Sequence, residues 1–132
     1  AEVLADYHEQ YAARGHRCFV WEDNTGRVIG FVYHAEEEMT EQTWYLWWIV
    51  VAADLQGRGL GSKLLAFVEN DVRSLGARML ILETADTPHY EPTRRFYLKQ
   101  GYEITGVLRD FYADGDSMVV FRKRLEGVDA VS

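Results

Sequence analysis

A glycine-rich stretch between two apolar segments is the feature that most constrains how this chain can fold. Gly57, Gly59 and Gly61 alternate within residues 54–63, which follow the apolar run 44–53 and precede an amphipathic segment. Glycines at such positions let successive backbone N–H groups converge on one anion where a strand passes into a helix. The helix that follows adds unpaired N–H donors and the positive end of its dipole. The stretch therefore predicts a phosphate-binding loop.

The spacing of these glycines disfavours two common phosphate-binding motifs. A P-loop requires Gly-x-x-x-x-Gly-Lys-[Ser/Thr], whereas Ser62 precedes Lys63 in this chain. A dinucleotide-binding loop requires Gly-x-Gly-x-x-Gly, and this stretch reads Gly-x-Gly-x-Gly with no acidic residue on a nearby strand tip. The glycines alone leave an ordinary strand-to-helix turn open.

Length and charge limit the classes of protein to which the chain can belong. Its 132 residues, 48% of them hydrophobic, suit one domain with a single core, and we assign residues 1–126 to that domain and 127–132 to a flexible tail. A net charge of -7 argues against binding nucleic acid, because phosphate neutralisation needs clustered Lys and Arg. It is compatible with a cationic substrate, although negative charge also serves solubility.

Cysteine, histidine and hydropathy patterns indicate neither a metal site nor a membrane segment. The single cysteine, Cys18, lies in a strand-like alternation and is interpreted as a buried, inert thiol. The four histidines lack metal-ligand spacing. The longest apolar run is far shorter than the ~20 residues that span a bilayer, and no signal segment opens the chain. We therefore expect a cytoplasmic protein without a metal or a membrane partner.

Hydrophobic periodicity predicts three helices and six strands. Apolar residues at helical spacing, ended by glycines or begun by a proline, place helices at residues 2–14, 60–76 and 91–100. Alternating or β-branched runs place strands at residues 17–22, 27–35, 43–53, 78–84, 102–111 and 117–125. The strand at 43–53 lacks clean alternation, which favours a central strand covered on both faces. A helix joins it to the strand at 78–84, so these two should be parallel.

Two segments resemble the GNAT family of N-acetyltransferases. Residues 56–61 read Gln-Gly-Arg-Gly-Leu-Gly, similar to the family's Gln/Arg-x-x-Gly-x-Gly/Ala loop. Residues 96–102 read Phe-Tyr-Leu-Lys-Gln-Gly-Tyr, similar to its Phe-Tyr-x-x-x-Gly-Phe/Tyr segment. The order of predicted elements agrees with the family from residue 18 to residue 125. The resemblance implies an α/β fold with a mixed, mostly antiparallel central sheet, helices on both faces and splayed parallel strands at the cofactor site. The family's first strand and helix are expected to be missing.

The resemblance also implies acetyl-CoA as co-substrate and assigns residues to its binding. The loop holds the pyrophosphate in the family. A splayed strand there offers backbone groups to the pantetheine amides and polarises the acetyl carbonyl, which implies this role for Ile49, Val50 and Val51. Thr93 and Phe96 are expected along the pantetheine or phosphate arm, whereas Arg94 and Arg95 either reach the 3′-phosphate or are surface charges. The loop residues carried over to cofactor binding are Gln56, Gly57, Arg58, Gly59, Leu60, Gly61 and Ser62.

Acetyl transfer needs a base for the attacking amine and a proton donor for the leaving thiolate. By resemblance, Tyr97 lies near the sulfur of coenzyme A and is the candidate acid. Glu83 stands at the carboxyl end of the second parallel strand, where open sheets place ligands, and matches a glutamate that serves as base in some relatives. A surface glutamate paired with Arg or Lys is the alternative interpretation of Glu83. Segment 46–48 occupies the other strand position where relatives can carry an acidic base.

The acceptor is less constrained by the sequence. Several acidic residues fall in loops expected near the acceptor side, which favours a small cationic amine, although solvated loops have the same composition. Tyr90, Pro88 and Pro92 are expected to shape the acceptor pocket, and 111–112 could contact the acceptor. A protein N-terminus or lysine is the alternative acceptor, a non-catalytic CoA-binding module is the alternative function, and a homodimer is left open. The acidic residues are Glu36, Glu37, Glu38, Glu41, Asp110, Asp114 and Asp116.

Overall fold

The computed structural model describes residues 3–7 and 15–125, which form a seven-stranded sheet and two α-helices. Single-turn 3₁₀ helices at Ala53–Leu55 and Pro88–Tyr90 precede the two α-helices. The strands are β1 (Val3–Tyr7), β2 (His16–Glu22), β3 (Val28–Glu36), β4 (Thr43–Val51), β5 (Met79–Ala85), β6 (Glu103–Ala113) and β7 (Asp116–Arg124). The helices are α1 (Leu60–Ser74) and α2 (Glu91–Lys99).

The sheet is mixed and mostly antiparallel. Its strand order is β1-β2-β3-β4-β5-β7-β6, and β4 and β5 are its parallel neighbours. These two strands are parallel because α1 carries the chain back over the sheet between them. The predicted sheet type and the predicted parallel pair are both confirmed.

Both α-helices pack on the same face of the sheet. The buried stripe of α1 lies against β3 and β4, and Gly30 leaves room for it, since a Cβ there would lie 3.0 Å from Leu64 Cδ1. The Tyr97 ring of α2 lies 5.6 Å from the Phe121 ring of β7 in the same core. In residues 3–7 and 15–125 the opposite face carries exposed side chains, such as Trp48 and Val50, and no helix. The predicted second layer of helices is therefore not found in this part of the chain.

The predicted helix at residues 2–14 is wrong where the structure describes it. Val3–Tyr7 forms β1, which pairs with β2 in antiparallel register, with Leu4 opposite Trp21 and Tyr7 opposite Phe19. The helical spacing of three or four apolar residues is a weak local signal, and the open edge of β2 offers the backbone a ladder that outweighs it. Residues 8–14 of that prediction, and the predicted tail at 127–132, lie outside the described residues.

The remaining predicted elements are confirmed, with ends that differ by no more than a few residues. Gly76 and Gly101, predicted to end the second and third helices, both have positive φ just after the ends of α1 and α2. Gly76 has φ 95° after α1, and the next amide, Ala77 N, donates to Val72 O at 2.9 Å. Such a left-handed residue satisfies the last carbonyls of a helix at no steric cost when it is glycine.

β4 and β5 separate after three paired positions. The parallel ladder joins Thr43–Met79, Trp44–Leu80 and Tyr45–Ile81 and then ends, although both strands continue. A bulge at Trp47 interrupts the pairing of β4 with β3 near the same level. We call the opening between β4 beyond Tyr45 and β5 beyond Ile81 the wedge.

The prediction that β4 is covered on both faces is wrong. Trp47 is 49% exposed and Trp48 is 59% exposed, although β4 lies at the centre of the sheet. The wedge removes the neighbour that would flank this half of β4, and the opposite face has no helix among the described residues. Continuous apolar sequence therefore marks an opening here as well as burial.

Candidate active site

Several backbone N–H groups lie close together in the turn between β4 and α1. Gly57 and Gly59 have φ 82° and φ 84°, so the turn uses a left-handed conformation twice. None of the backbone N–H groups from residue 57 to residue 62 donates to a described residue, whereas Lys63 N closes the first helical bond to Gly59 O at 3.2 Å. Unpaired amides at a helix N-terminus are suited to an anion such as a diphosphate. We call residues 56–62 the glycine loop.

The glycine loop borders a cavity of about 530 Å³, which we call the loop cavity. Its wall joins the end of β4, the glycine loop and α2, and it contains ten of the predicted site residues together with Pro92. The lining residues are Ile49, Val51, Gln56, Gly57, Gly59, Gly61, Ser62, Pro92, Thr93, Phe96 and Tyr97.

Three residues predicted to contact the cofactor do not line the loop cavity. Leu60 is buried in the core as the first residue of α1. Val50 is exposed on the face of the sheet opposite the helices, and Arg58 is exposed in the loop. Pro92, which was predicted to shape the acceptor pocket, instead lines the loop cavity.

The backbone of β4 directs free groups into the wedge. Ala52 N donates to Ile29 O of β3 at 2.9 Å. Because successive residues of a strand direct their backbone groups to opposite neighbours, Val51 and Ile49 point theirs toward β5, where the ladder has ended. Val51 O already accepts a hydrogen bond from Gln56 Nε2 at 3.2 Å, which ties the glycine loop to this strand. The geometry fits a ligand that pairs with β4 as an added strand.

Tyr97 lies at the junction of two cavities. It lines the loop cavity and also a second cavity, of about 620 Å³, that occupies the wedge. No described residue shares a hydrogen bond with its hydroxyl, whereas its ring packs against Phe96, Tyr102 and Phe121. Burial raises the pKa of Tyr97 to about 12, so the phenol is protonated at neutral pH. A protonated hydroxyl without a partner is available to a ligand in either cavity.

Glu83 lies in the wedge, held by two tyrosines. The Tyr45 hydroxyl donates a hydrogen bond to Glu83 Oε2, and the Tyr112 hydroxyl donates one to Glu83 Oε1 at 3.1 Å. No Arg or Lys in the described part of the chain pairs with this carboxylate. Each carboxylate oxygen has two lone pairs, so both oxygens can still accept a hydrogen bond. The alternative of a surface glutamate paired with a basic residue is not what the structure has.

The second cavity, which we call the wedge cavity, passes through the opening in the sheet. Leu82 and Thr84 border it from the helical face, and Glu83 borders it from the opposite face. The lining residues are Leu46, Trp47, Trp48, Ile49, Leu82, Glu83, Thr84, Ala85, Tyr90, Thr93, Tyr97, Tyr112 and Asp116. Tyr90, which was predicted to shape the acceptor pocket, is among them.

Most of the acidic residues expected near the acceptor side lie away from the wedge cavity. Of the seven predicted, Asp116 alone lines it. Glu36 ends β3 and Glu37–Glu41 belongs to the β3–β4 connection, at the paired end of β4 rather than at the wedge. The Asp110 carboxylate has a hydrogen-bond partner within its own hairpin, since Gly115 N donates to its Oδ1 at 2.8 Å. Loop composition alone does not report to which end of a strand a loop is attached.

The two arginines of α2 have contacts within the protein. Arg94 Nη1 donates to Ala85 O at 2.8 Å and to Thr87 O at 3.0 Å, which braces the segment between β5 and α2. Arg95 pairs with Glu91 one turn earlier on the exposed side of the helix. Neither residue lines either cavity.

Tyr45 and Asp116 were not singled out by sequence reasoning. The register of β4 on β5 places Tyr45 opposite Ile81. Ile81 lies two residues before Glu83, so the side chains of Tyr45 and Glu83 are on the same face of the sheet. The pairing register of two strands cannot be read from the sequence alone. Asp116 was counted only as one acidic loop residue, and its place at the start of β7, two residues before Met118 pairs with Ala85, is what brings it to the wedge.

The described part of the chain contains neither a group of metal-ligating side chains nor a membrane-spanning helix. In residues 3–7 and 15–125, no three His, Cys, Asp or Glu side chains are grouped as metal ligands. Neither described α-helix has the length and hydropathy to cross a bilayer.

Comparison with known proteins relates this geometry to a family. Residues 2–102 match the model of the Acetyltransferase (GNAT) family. An aminoalkylphosphonate N-acetyltransferase of Salmonella typhimurium is 31% identical over 81 residues, which covers 59% of this chain and 51% of that protein. The chain thus spans about half the length of that relative.

Solved structures share the fold. A GNAT-family structure from Desulfovibrio desulfuricans has 37% sequence identity and a TM-score of 0.81, over 89% of this chain and 76% of that one. An aminoglycoside 6′-N-acetyltransferase complexed with coenzyme A has 22% identity and a TM-score of 0.73, over 89% and 77% respectively, and at that identity shows the fold alone. Because the family model matches residues 2–102, which is most of the chain, this protein belongs to the GNAT family of acetyltransferases.

Proposed function

We propose that this chain is an N-acetyltransferase that transfers the acetyl group of acetyl-CoA directly to a primary amine in a ternary complex, and that the acceptor is a small cationic amine. The observation that carries the proposal is the wedge, which opens on one side to the unpaired amides of the glycine loop and on the other to Glu83. A thioester arm laid along β4 would place its reactive end between the two cavities.

The chain's own groups supply the binding of the co-substrate. The amides of residues 57–62 donate to the diphosphate, supported by the dipole of α1. The backbone groups of Ile49 and Val51 pair with the pantetheine amides, and one of them polarises the acetyl carbonyl. When bound, acetyl-CoA supplies an activated acyl group with a thiolate as leaving group.

Glu83 and Tyr97 perform the two proton transfers. Glu83 accepts a proton from the attacking ammonium, so that a neutral amine attacks the carbonyl carbon. Tyr97 donates its hydroxyl proton to the departing sulfur as the carbon–sulfur bond breaks. The Tyr97 phenolate takes up the second proton lost by the amine nitrogen. The products are an acetylated amine and the free thiol of coenzyme A, and Glu83 releases its proton to solvent before the next turnover.

The charge of the wedge cavity bears on the acceptor. Its charged lining residues are Glu83 and Asp116, and no Lys or Arg of the described segments lines it. An aminoalkylphosphonate, the acceptor class in the name of the Salmonella relative, carries an anion that these carboxylates repel. We therefore propose a different acceptor class for this chain.

The test is an acceptor panel assayed for thiol release and for a gain of one acetyl group by mass. The purified chain is mixed with acetyl-CoA and, in separate reactions, with alkylamines, an aminoalkylphosphonate, and peptides that offer a free N-terminus or a lysine. We expect thiol release with alkylamines. Release with peptides only would replace the acceptor by a protein, and coenzyme A binding without any release would leave a non-catalytic binding module.

A further inference from the structure

Asp116 is a charged group in the wedge cavity for which the described residues provide no partner. Its Oδ1 is buried, and it has no hydrogen bond to a described residue. A buried carboxylate oxygen without a donor costs free energy. No described donor offsets this cost, and the residue lines the wedge cavity.

Two arginines of neighbouring segments have partners elsewhere in the protein. Arg94 of α2 donates to the carbonyl oxygens of Ala85 and Thr87. Arg122, farther along β7, pairs with Glu103. No described salt bridge involves Asp116. The wedge cavity therefore retains a negative charge at its β7 end in addition to that of Glu83.

Aromatic rings form much of the remaining wall. Trp47, Trp48, Tyr90 and Tyr112 all line the cavity, and each is more than 40% exposed. Large exposed aromatics beside carboxylates suit an organic cation, because the ring faces attract positive charge. Tyr112 links the two acidic groups: its hydroxyl donates to Glu83, and burial, this bond and the charges of Glu83 and Asp116 raise its pKa to about 12.

Glu83 and Asp116 occupy different ends of the cavity. Glu83 pairs with Val120 of β7, and Asp116 lies four residues earlier on that strand, which separates the Cα atoms of Val120 and Asp116 by about 13 Å. Both side chains line the cavity. One acceptor of several bonds' length can reach both.

We propose that Asp116 is a specificity residue that binds a second cationic group of the acceptor, so that the preferred acceptors are diamines. The proposal rests on the function proposed above. Glu83 serves the ammonium that is acetylated, while Asp116 and the aromatic wall hold the other. Acetyl-CoA is the sole co-reactant of the step. Acetylation of one amine leaves the second amine charged.

The experiment compares acceptors of equal chain length that differ only in the far substituent. Putrescine carries an ammonium there, n-butylamine a methyl group and γ-aminobutyrate a carboxylate. We expect kcat/KM for putrescine to exceed that for butylamine about tenfold or more, beyond the statistical advantage of its two equivalent amines, and γ-aminobutyrate to be the poorest. Equal values for putrescine and butylamine would overturn the proposal.

Matched variants locate the effect. Asp116→Asn should reduce the preference for putrescine at least severalfold, whereas Asp114→Asn, at an exposed acidic residue of the same hairpin that lines neither cavity, should leave it unchanged. An unchanged preference in Asp116→Asn contradicts the role of this residue. If that variant fails to fold, the comparison of acceptors on the unaltered chain still tests diamine selectivity.

A binding measurement separates this proposal from the transferase activity. With coenzyme A present and no acetyl group to transfer, putrescine should raise the melting temperature of the unaltered chain more than butylamine does. That result supports the second cation site even if no amine is acetylated, in which case only the proposed function has failed. Equal shifts for the two amines count against the site whatever the turnover shows.

Discussion

A single hydroxyl separates a structural from a catalytic interpretation of Tyr97. The ring is part of the core and contacts Phe121, as an ordinary buried aromatic would. The hydroxyl has no partner among the described residues and lies where the two cavities meet. Tyr102, its neighbour, differs in this respect, because its hydroxyl donates to Glu69 Oε2 at 2.7 Å. The two tyrosines therefore form a matched pair for a test.

Tyr97→Phe should lower kcat by about 10²–10³ with little change in the Kd of coenzyme A, because it removes the proton donor and keeps the ring. Steady-state kinetics and calorimetric titration measure the two quantities. Tyr102→Phe deletes a buried hydroxyl from the same core and should leave kcat near that of the unaltered chain at a temperature where it is folded. A kcat in Tyr97→Phe equal to that control would remove Tyr97 from the mechanism.

Glu83 depends on its neighbours in a different way. Tyr45 and Tyr112 fix both carboxylate oxygens, and they come from two strands, β4 and β6, that do not pair with each other. The position of the base is therefore set by the register of the sheet and by the fold of the β6–β7 hairpin. A local sequence window around residue 83 contains neither.

At the level of elements, the glycine loop and the wedge form one continuous binding surface. The loop supplies donors because its backbone is left-handed at two positions, and the wedge supplies free strand edges because the parallel ladder stops at Tyr45 and Ile81. Gly59 is the residue before α1, so its conformation also sets the direction in which the first amides of the helix point.

Gly59→Ala should weaken coenzyme A binding about tenfold. A Cβ at φ 84° meets no other atom within 4 Å, so the cost is the left-handed backbone itself, and the loop can relieve it only by turning its amides away. Gly26→Ala is the control: Gly26 has φ 85° in the β2–β3 turn, also in open space, and lines neither cavity. Titration should show an unchanged Kd for the control. An equal loss of affinity in both variants would refute a specific role for the loop.

In the molecule as a whole, a buried ionic cluster joins the helical layer to the sheet. Asp71 of α1 accepts two hydrogen bonds from Arg17 of β2, at 2.7 and 2.9 Å, and one from the fully buried His34 of β3 at 2.8 Å. Burial acts to raise the pKa of Asp71, but the hydrogen bonds from His34 and Arg17 outweigh it, and the pKa lies below its usual value.

Asp71→Asn should lower the free energy of unfolding by about 2–3 kcal/mol at pH 7, because it leaves Arg17 without its carboxylate in a partly buried site. Urea denaturation measures this value. A lowered pKa in the folded state stabilises the protein above the unfolded pKa of about 3.9, and this contribution is lost as the pH falls through the folded value. The difference between the two proteins should therefore shrink below about pH 4.

Asp54→Asn gives the comparison for that prediction. Asp54 pairs with Arg27 on the surface, where both side chains are exposed, so its loss should change stability little. If Asp71→Asn were no more destabilising than this surface variant, or if its effect persisted undiminished in acid, the cluster would not connect the layers in the way described.

The sequence alone determined those features that depend on local backbone chemistry. The glycines at 57 and 59, the amphipathic stripe of α1 and the glycine at 76 each act over a few residues, so the loop, the helix and its end could be predicted. Ten of the predicted site residues border the loop cavity, and those on β4 and α2 were assigned by resemblance to the family rather than from local backbone chemistry.

The tertiary structure decided what depends on the register and packing of distant segments. Residues 3–7 became a strand because β2 had a free edge, and the wedge exists because the ladder of β4 on β5 ends after three pairs. Tyr45, Tyr112 and Asp116 reach Glu83 or its cavity through pairings between strands far apart in the chain. Such contacts arise only when the chain closes on itself, because the residues that make them carry no local signal of their partners.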